Sequence, residues 1–349
     1  MKKLIALASL IWISLQVSAQ KPKNVILLIG DGMGLAQVST TFYYKDSKPN
    51  FQRFKHIGLV RTSSASNKVT DSAAGATAYA SGIKTYNRAI GVNTDSLAVP
   101  TILEQLSEKG YKTGLIALCT ITHATPACFY AHVKDRDQHE DIALQLTDAS
   151  VDFFAGAGSK YFTRRADGQN LYEKLQQRGY VMDSAKVNTP FDPSEKYGFL
   201  LAPEEMPAKT QGRDDFLPKT TAAAIEYLNH NKKGFFLMSE GSYIDWAGHG
   251  NDAEMLIAEQ LDFDETVGAA LDFAEKDGNT LVIVTADHET GGLALEKGEN
   301  RNEISLRFNT DQHTTSLIPV FAYGPGAENF TGIYENNEIQ LKLKDLLGL

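Results

Sequence analysis

The chain has 349 residues, with 34 Lys and Arg against 43 Asp and Glu, so its formal net charge is −9. This length suits one large α/β domain or two small ones. The acidic balance and the lack of a basic block argue against nucleic acid as a specific partner.

The N-terminus has the pattern of a signal peptide over residues 1–19. Lys2 and Lys3 precede an apolar run over 4–15 that is too short to span a bilayer, and small residues end at Ala19. We therefore predict cleavage after Ala19, one domain over 20–349, and a periplasmic or secreted protein. An uncleaved anchor is the alternative. No second long apolar run follows, so we expect no membrane partner after cleavage.

The first predicted strand is a continuous apolar run over 24–29 that enters a glycine-rich turn at 30–34. Such a run is typical of a central parallel strand that is buried on both faces. Asp31 then lies at the carboxyl end of this strand, where open α/β sheets place their sites. A simple capping role is the alternative for Asp31.

The stretch 69–78 combines polar residues with four alanines and a glycine, which predicts a helix start that a ligand or another backbone can approach closely. Thr70 or Asp71 can cap this helix. Ser72 then lies at the positive end of the helix dipole, where a hydroxyl ionises more easily and an anion is stabilised. An ordinary capped helix that packs through its alanines is the alternative.

Strands and helices alternate through the rest of the chain. Further helices are predicted over 100–109, after Pro126 to about Val133, and over 140–149, 170–178, 216–229, 252–276 and 338–347. Further strands are predicted over 112–119, 152–157, 234–238, 279–286 and 318–323, the last of the chain. We expect a loop across the site at 83–92 and a surface excursion at 183–210. The alternation predicts a three-layer α/β sandwich with a central, mostly parallel sheet and helices on both faces.

Acids and histidines follow the ends of these apolar strands, and in a parallel sheet most of them converge at one edge. They are Asp31, Glu240, Asp245, His249, Asp287, His288 and His313. So many carboxylates in one cleft need cations. The mixed nitrogen and oxygen donors suit zinc, and the oxygen-rich set of Asp31, Thr125 and Glu240 suits magnesium. Core or surface roles are expected for His56, His132, His139 and His230.

The chain has only two cysteines, Cys119 and Cys128. An exported protein could pair them, and their separation fits a strand end and the following helix. Two free, buried thiols are an equally good interpretation, so the sequence leaves both alternatives open.

Taken together, these stretches resemble the alkaline phosphatases, in the family's order and over nearly the whole chain after the signal peptide. The matching motifs are Gly30-Asp-Gly-Met-Gly, Thr70-Asp-Ser-Ala-Ala, Lys84-Thr-Tyr-Asn, Ala124-Thr-Pro-Ala, Ala131-His-Val-Lys-Asp-Arg, Glu240-Gly-Ser-Tyr-Ile-Asp-Trp-Ala-Gly-His, Thr285-Ala-Asp-His-Glu-Thr-Gly-Gly and His313-Thr. Any one of these motifs is weak evidence, whereas the whole set leaves little room for chance.

The resemblance implies an exported phosphomonoesterase that acts on small phosphate monoesters with two Zn²⁺ and one Mg²⁺. It implies that Ser72 is the nucleophile and becomes a phosphoserine, and that Arg136 grips two phosphate oxygens. Arg136 as a surface partner of Asp135 or Asp137 is the alternative. The implied ligands are Asp245, His249 and His313 for the first zinc, Asp31, Asp287 and His288 for the second, and Asp31, Thr125 and Glu240 for magnesium. The family commonly forms two-fold dimers, so a homodimer is expected.

Two residues depart from the pattern of the best-known bacterial members, which have aspartate at His123 and lysine at Trp246. Both are expected beside the site, where the departures put in doubt how the third metal is held and how phosphate is contacted. The chain also has no room for the large crown insertion of animal members, so we expect an open site.

Two other classes of function remain as alternatives. A phosphodiesterase or another hydrolase of the same superfamily would share the fold, but many diesterases use threonine as nucleophile and lack the third metal site, and the sulfatase motif is absent from the sequence. A non-catalytic metal-binding or adhesion protein that kept the fold is disfavoured because nucleophile, ligands and Arg136 are all present.

Overall fold

The computed structural model describes residues 21–300 and 302–349. The predicted signal peptide and its cleavage site therefore lie outside the described residues. Among the helices of the described part, none is long and apolar enough to cross a membrane.

A ten-stranded sheet forms the centre of the molecule, in the order β14-β2-β13-β8-β1-β7-β3-β4-β6-β5. Its strands are β1 (Asn24–Gly30), β2 (His56–Arg61), β3 (Lys112–Thr120), β4 (Phe153–Ala157), β5 (Tyr180–Asp183), β6 (Lys196–Leu200), β7 (Phe235–Gly241), β8 (Thr280–Thr285), β13 (Ile318–Tyr323) and β14 (Gly332–Glu335). Two small two-stranded ribbons pair β9 (Glu289–Thr290) with β12 (His313–Thr314) and β10 (Ala294–Lys297) with β11 (Ile304–Arg307).

Eleven α-helices of the described residues surround this sheet. They are α1 (Leu35–Tyr44), α2 (Ser72–Ser81), α3 (Ile102–Glu108), α4 (Ala124–Ala127), α5 (His139–Asp148), α6 (Lys160–Thr163), α7 (Leu171–Gln177), α8 (Phe216–Leu228), α9 (Tyr243–His249), α10 (Ala253–Asp277) and α11 (Glu338–Leu347). One group is built on α8 and α10, which pack together and contact β7, while α2, α3, α4 and α11 form a second group in which α3 and α4 contact β3 and β7. The predicted three-layer α/β architecture is confirmed.

The middle strands are buried because every residue of β1, β7 and β8 is shielded from solvent. Their apolar side chains are covered on both sides, which is why the sequence shows continuous apolar runs instead of alternation. β1 lies between β7 and β8, with Ile29 opposite Glu240 on one side and Thr285 on the other. The carboxyl ends of the three strands therefore meet at one place.

β13 is the exception to the parallel arrangement, because it runs antiparallel to both of its neighbours, β8 and β2. Its amino end consequently lies at the same edge as the carboxyl ends of the parallel strands. The Thr285 hydroxyl at the end of β8 donates to the Pro319 carbonyl near the start of β13, at 3.0 Å. Residues that precede β13 are thus brought to the edge where Asp31 and Asp287 emerge.

Three predictions about the helices and strands are wrong. The surface excursion over 183–210 contains β6, whose Tyr197, Phe199 and Leu200 are buried in the central sheet. The helix predicted after Pro126, to about Val133, is instead the short α4 over Ala124–Ala127, and Val133 exchanges two backbone hydrogen bonds with Ile90. The strand over 318–323 is not the last, because β14 follows and pairs with β2.

Candidate active site

The Ser72 hydroxyl lies at the first position of α2, a helix that is buried along most of its length. Asp71, one of the two residues predicted as caps, caps this helix: its Oδ1 accepts a hydrogen bond from the Ala74 amide at 3.0 Å. The small residues allow a close approach, because a Cβ added at Gly75 would lie 3.0 Å from the Asp287 carbonyl oxygen. The helix start is therefore pressed against the loop that follows β8, with Ser72 facing it.

Asp31, Asp287 and His288 form one cluster that is fully buried at the ends of β1 and β8. His288 Nε2 lies 3.2 Å from Asp287 Oδ2 and 3.5 Å from Asp31 Oδ1. The Ser72 Oγ is 3.3 Å from the same His288 Nε2. A nitrogen, two carboxylates and the serine hydroxyl thus converge on one small volume, as the sequence predicts.

A second cluster joins Asp245, His249 and His313 at the rim of the first. Asp245 and His249 lie one helical turn apart on α9, so they share a face. His249 Nε2 is 3.0 Å from His313 Nε2, and Asp245 Oδ1 is 3.4 Å and 3.6 Å from these two nitrogens. The rings of His288 and His313 stack with centroids 3.5 Å apart. The two clusters therefore adjoin through stacked imidazoles.

A third group of donors surrounds Glu240, which is buried near the end of β7. Cys119, His123 and Glu240 offer ligand atoms within 4.8 Å of one another. The Glu240 Oε2 accepts from the Ser242 hydroxyl at 2.8 Å and from the Cys119 thiol at 3.4 Å. Cys119 was not predicted as part of the site. Both cysteines are free and buried.

Several buried polar atoms around these groups have no hydrogen-bond partner among the described residues: Asp31 Oδ2, Glu240 Oε1, Thr125 Oγ1 and His123 Nδ1. Buried polar atoms are normally paired, and each exception needs an explanation. These four oxygen and nitrogen atoms are of the kind that coordinate divalent cations in proteins. The donor chemistry therefore fits metal ions at this edge of the sheet.

The charges of the cluster lead to the same conclusion. Burial, together with the charges of Asp287, Asp245 and Glu240, raises the pKa of Asp31 well above its ordinary value. Burial also raises the pKa of Glu240 to about 7. Burial alone would lower the pKa of His288, but the charge of Asp287 raises it. Carboxylates packed in this way cannot all ionise without compensating cations.

Arg136 is half-buried beside the helix start, and it contacts neither of its acidic neighbours in sequence. Its Nη1 donates to Asp71 Oδ2 at 3.2 Å and its Nη2 lies 3.1 Å from His123 Nε2. Asp135 and Asp137 are instead bound by Arg88, so the surface-partner alternative for Arg136 is wrong. The guanidinium is therefore held by Asp71, the residue that caps the helix of Ser72, and by His123.

His123 and Trp246 lie beside each other, with ring centroids 6.3 Å apart in an edge-to-face arrangement. Trp246 also packs against Tyr243 at 4.5 Å. Burial and the charge of Arg136 lower the pKa of His123 to about 3, so its imidazole is neutral at ordinary pH. The two departures from the bacterial pattern therefore replace charged residues with a packed, uncharged pair.

The four remaining histidines take no part in these clusters. His132 contacts the Gly91 carbonyl oxygen and Glu104, and His139 stacks on Tyr161 with centroids 4.5 Å apart. His230 is exposed at the end of α8, and His56 is half-buried on β2.

Comparison with known proteins agrees with this geometry. The family model described as alkaline phosphatase matches residues 22–303. The chain belongs to the alkaline phosphatase family. The match covers most of the sheet and every predicted site residue except His313. The protein is accordingly an enzyme, a phosphoric monoester hydrolase. The alkaline phosphatase family depends on metal ions.

Individual relatives extend the likeness to nearly the whole chain. Alkaline phosphatase 3 of Bacillus subtilis is 36% identical over 91% of this chain and 87% of its own. The alkaline phosphatase of Escherichia coli is 32% identical over 95% of this chain and 88% of its own. The solved structure of the alkaline phosphatase from the Antarctic bacterium TAB5 has a TM-score of 0.92 and 50% identity, and covers 95% of this chain and 99% of its own.

A variant of the TAB5 alkaline phosphatase in which a histidine is replaced by aspartate has also been solved, with magnesium bound in a site called M3. That structure has a TM-score of 0.90 and 50% identity to this protein, covering 95% of this chain and 99% of its own. This protein thus shares its fold with a neighbour in which magnesium is seen.

Proposed function

We propose that this protein is an exported alkaline phosphatase that hydrolyses small phosphate monoesters through a phosphoserine at Ser72. The observation that carries the proposal is the position of the Ser72 hydroxyl, 3.3 Å from His288 Nε2 and at a helix N-terminus. A nucleophilic hydroxyl needs a partner that lowers its pKa, and a helix start stabilises the anion that forms.

The metal assignment follows from the three groups of donors. Asp245, His249 and His313 would hold one zinc, Asp31, Asp287 and His288 a second, and Asp31, Thr125 and Glu240 a magnesium. When bound, such ions supply an activated nucleophile and neutralise the charge that develops on the oxygens of the transferred phosphoryl group. The neighbour with magnesium in its M3 site supports the third position.

The protein's own groups would then divide the work of the reaction. The Ser72 oxygen attacks phosphorus, and the leaving-group oxygen departs on the opposite side. Arg136 donates two parallel hydrogen bonds to the non-bridging phosphate oxygens, for which a planar guanidinium is better suited than an ammonium. A water molecule attacks the phosphoserine in the second displacement and releases inorganic phosphate.

Accessibility along the site agrees with this order of events. The His249 side chain is 38% exposed and that of His313 is 15% exposed, whereas Asp31 and His288 are fully buried. A substrate would therefore enter from the side of the second cluster, which contains His249 and His313, with its leaving group toward solvent. That arrangement suits leaving groups of many shapes.

The test is a comparison of Ser72→Ala with Ser81→Ala. Ser81 is the last residue of the same helix, so the two variants remove the same hydroxyl from opposite ends of α2. We expect Ser72→Ala to lose phosphoenzyme formation in acid-quenched samples and nearly all turnover, while Ser81→Ala keeps both. Phosphate trapped on any residue other than Ser72 would show that the assignment is wrong.

The choice of substrate is tested on the unaltered protein. A monoester offers Arg136 two free oxygens that carry nearly two charges, whereas a diester has an ester oxygen in place of one of them. We expect faster turnover of an aryl phosphate monoester than of the corresponding diester. The reverse preference would favour the alternative, a phosphodiesterase or other hydrolase of the same superfamily.

Export is tested separately, by the N-terminal sequence of the mature protein, which we expect to begin at Gln20.

A further inference from the structure

Arg88 lies in the loop between α2 and α3 and has an unusual backbone. Its φ is +76°, in the left-handed region that favours glycine. Its amide nevertheless donates to Asp71 Oδ2 at 3.0 Å, the same oxygen that accepts from Arg136. A non-glycine residue in this region costs free energy and is retained where the surroundings need its side chain.

The Arg88 side chain binds the two carboxylates that flank Arg136. Its Nε donates to Asp135 Oδ2 at 2.9 Å and its Nη2 to Asp135 Oδ1 at 2.8 Å, a bidentate pair, and Nη2 also contacts Asp137. The hydrogen bonds from Arg88 lower the pKa of Asp135 to about 2. One arginine thus holds the residues on both sides of another.

Asp135 and Asp137 are direct neighbours of Arg136 in the chain, so they compete with Asp71 for its guanidinium. If they were unpaired, they would attract Arg136 away from Ser72 and repel a phosphate dianion that approaches it. With Arg88 on them, Arg136 instead contacts Asp71 and His123. Arg136 is thus anchored beside the start of α2 and not on its own neighbours in the chain.

We propose that Arg88 is a positioning residue for phosphate binding: it occupies Asp135 and Asp137 so that Arg136 is free to grip the phosphate. This inference rests on the proposed function, in which Arg136 binds the non-bridging oxygens. Arg88 itself acts through Arg136 and does not need to touch the substrate.

The first test is the inhibition constant of inorganic phosphate for Arg88→Gly in the metal-loaded enzyme. Glycine adopts a φ of +76° without strain, so the variant removes the side chain without straining the backbone. We therefore expect it to have the melting temperature of the unaltered protein. We expect phosphate to bind roughly tenfold more weakly, within the range over which misplaced positioning groups act. Low ionic strength is used, because salt screens exposed pairs. Unchanged phosphate affinity would overturn the proposal.

The matched rescue is the triple variant Arg88→Gly, Asp135→Asn, Asp137→Asn. It removes the competing charges together with the arginine that neutralises them. We expect it to recover most of the affinity for phosphate that Arg88→Gly loses. A structural role of Arg88 in holding the loop would instead leave the triple variant as weak as the single one, and the proposal would then be wrong.

Measuring Arg88→Gly in an Arg136→Ala protein separates the proposed role of Arg88 from the proposed role of Arg136. We expect Arg88→Gly to have almost no further effect on phosphate affinity in an Arg136→Ala protein. Equal losses in both backgrounds would mean that Arg88 acts independently of Arg136, against the proposal. If Arg136→Ala alone leaves phosphate affinity unchanged, the assigned role of Arg136 fails, whatever Arg88 does.

Discussion

The neutral ring of His123 lies close to Glu240, one of the ligands of the proposed magnesium site. Its Nδ1 is buried without a partner among the described residues, and its Nε2 faces Arg136. Since its pKa is lowered to about 3, it brings no charge to the oxygens of Glu240 and Thr125. A carboxylate at this position would add a harder donor.

We therefore expect His123→Asp to bind magnesium more tightly, by roughly tenfold, the lower end of what residues around a metal's ligands contribute. Magnesium titration of the zinc-loaded protein measures the change. His230→Asp is the matched control, because it makes the same change of charge at an exposed position on the end of α8. Equal magnesium affinity in His123→Asp and the unaltered protein would leave His123 as a packing residue.

The sequence predicts well which acidic residues lie at the sheet edge, and predicts their partners poorly. Asp31 and Asp287 directly follow apolar strands, so their place at the sheet edge could be inferred from the chain alone. Cys119 contacts Glu240 only because β3 lies next to β7, and no local sequence pattern predicts the order of strands in a sheet. Arg88 was missed for the same reason, since its partners are 47 and 49 residues away.

At the scale of elements, α3 is tied to the loop around residue 132 by one charged pair. Thr101 and Glu104 form a capping box at the start of α3. The Glu104 Oε1 also lies 3.0 Å from His132 Nε2. Burial opposes the charge of either group, but their hydrogen bond lowers the pKa of Glu104 and raises that of His132.

The signs give a pH window for this pair. The raised pKa of His132 stabilises the fold fully below its unfolded value of 6.5, and this contribution is lost as pH rises through the folded pKa. The lowered pKa of Glu104 stabilises the fold above its unfolded value of 4.5, and that part is lost as pH falls. The pair therefore contributes most between these two values.

We expect Glu104→Gln to lower the free energy of unfolding by about 0.5–1 kcal/mol at pH 6 and by less at pH 9. Glutamine keeps the capping box, so the change isolates the charge. Denaturant titration at the two pH values measures it. Glu108→Gln on the same helix is exposed and serves as control. A loss that is equal at pH 6 and pH 9 would contradict the assignment to this pair.

Elements with long apolar periodicity could be predicted closely, and short ones could not. α11 has the predicted bounds, and α10 differs by one residue at each end. β6 was assigned to a loop because prolines and charges surround its short apolar core, and its burial comes from β4 and β5 on either side. Tertiary partners, not local propensity, make this segment a strand.

At the scale of the whole molecule, metal ions and pH act together on stability. In the metal-free protein, burial raises the pKa of Glu240 from 4.5 to about 7. An acid whose folded pKa is raised contributes its stability at low pH, and that contribution is lost as pH rises through the folded value. The raised pKa values of Asp31 and His288 act in the same direction, whereas the lowered pKa values of His123 and His313 act in the opposite one. Metal binding reverses the trend, because it needs deprotonated ligands.

We thus expect the chelated protein to melt at a lower temperature at pH 8 than at pH 6, and the gap between loaded and chelated protein to widen with pH. Scanning calorimetry with and without a chelator measures both. Glu240→Gln is the matched variant, since it keeps the shape and removes the charge, and its chelated form should show a shallower slope. Identical melting of the chelated protein at both pH values would refute this account.

The spacing of the site along the chain sets the time at which a newly made molecule can become an enzyme. The Gly32 amide binds Asp287 across 255 positions, and His313 contacts the Thr70 carbonyl across 243. Chains are made from the N-terminus onward, and such distant pairs form late in folding. A ribosome must therefore release more than 300 residues before both clusters can close. A nascent chain that has not yet reached His313 therefore lacks one ligand of the proposed centre, so under the proposed function it cannot yet hydrolyse phosphate esters.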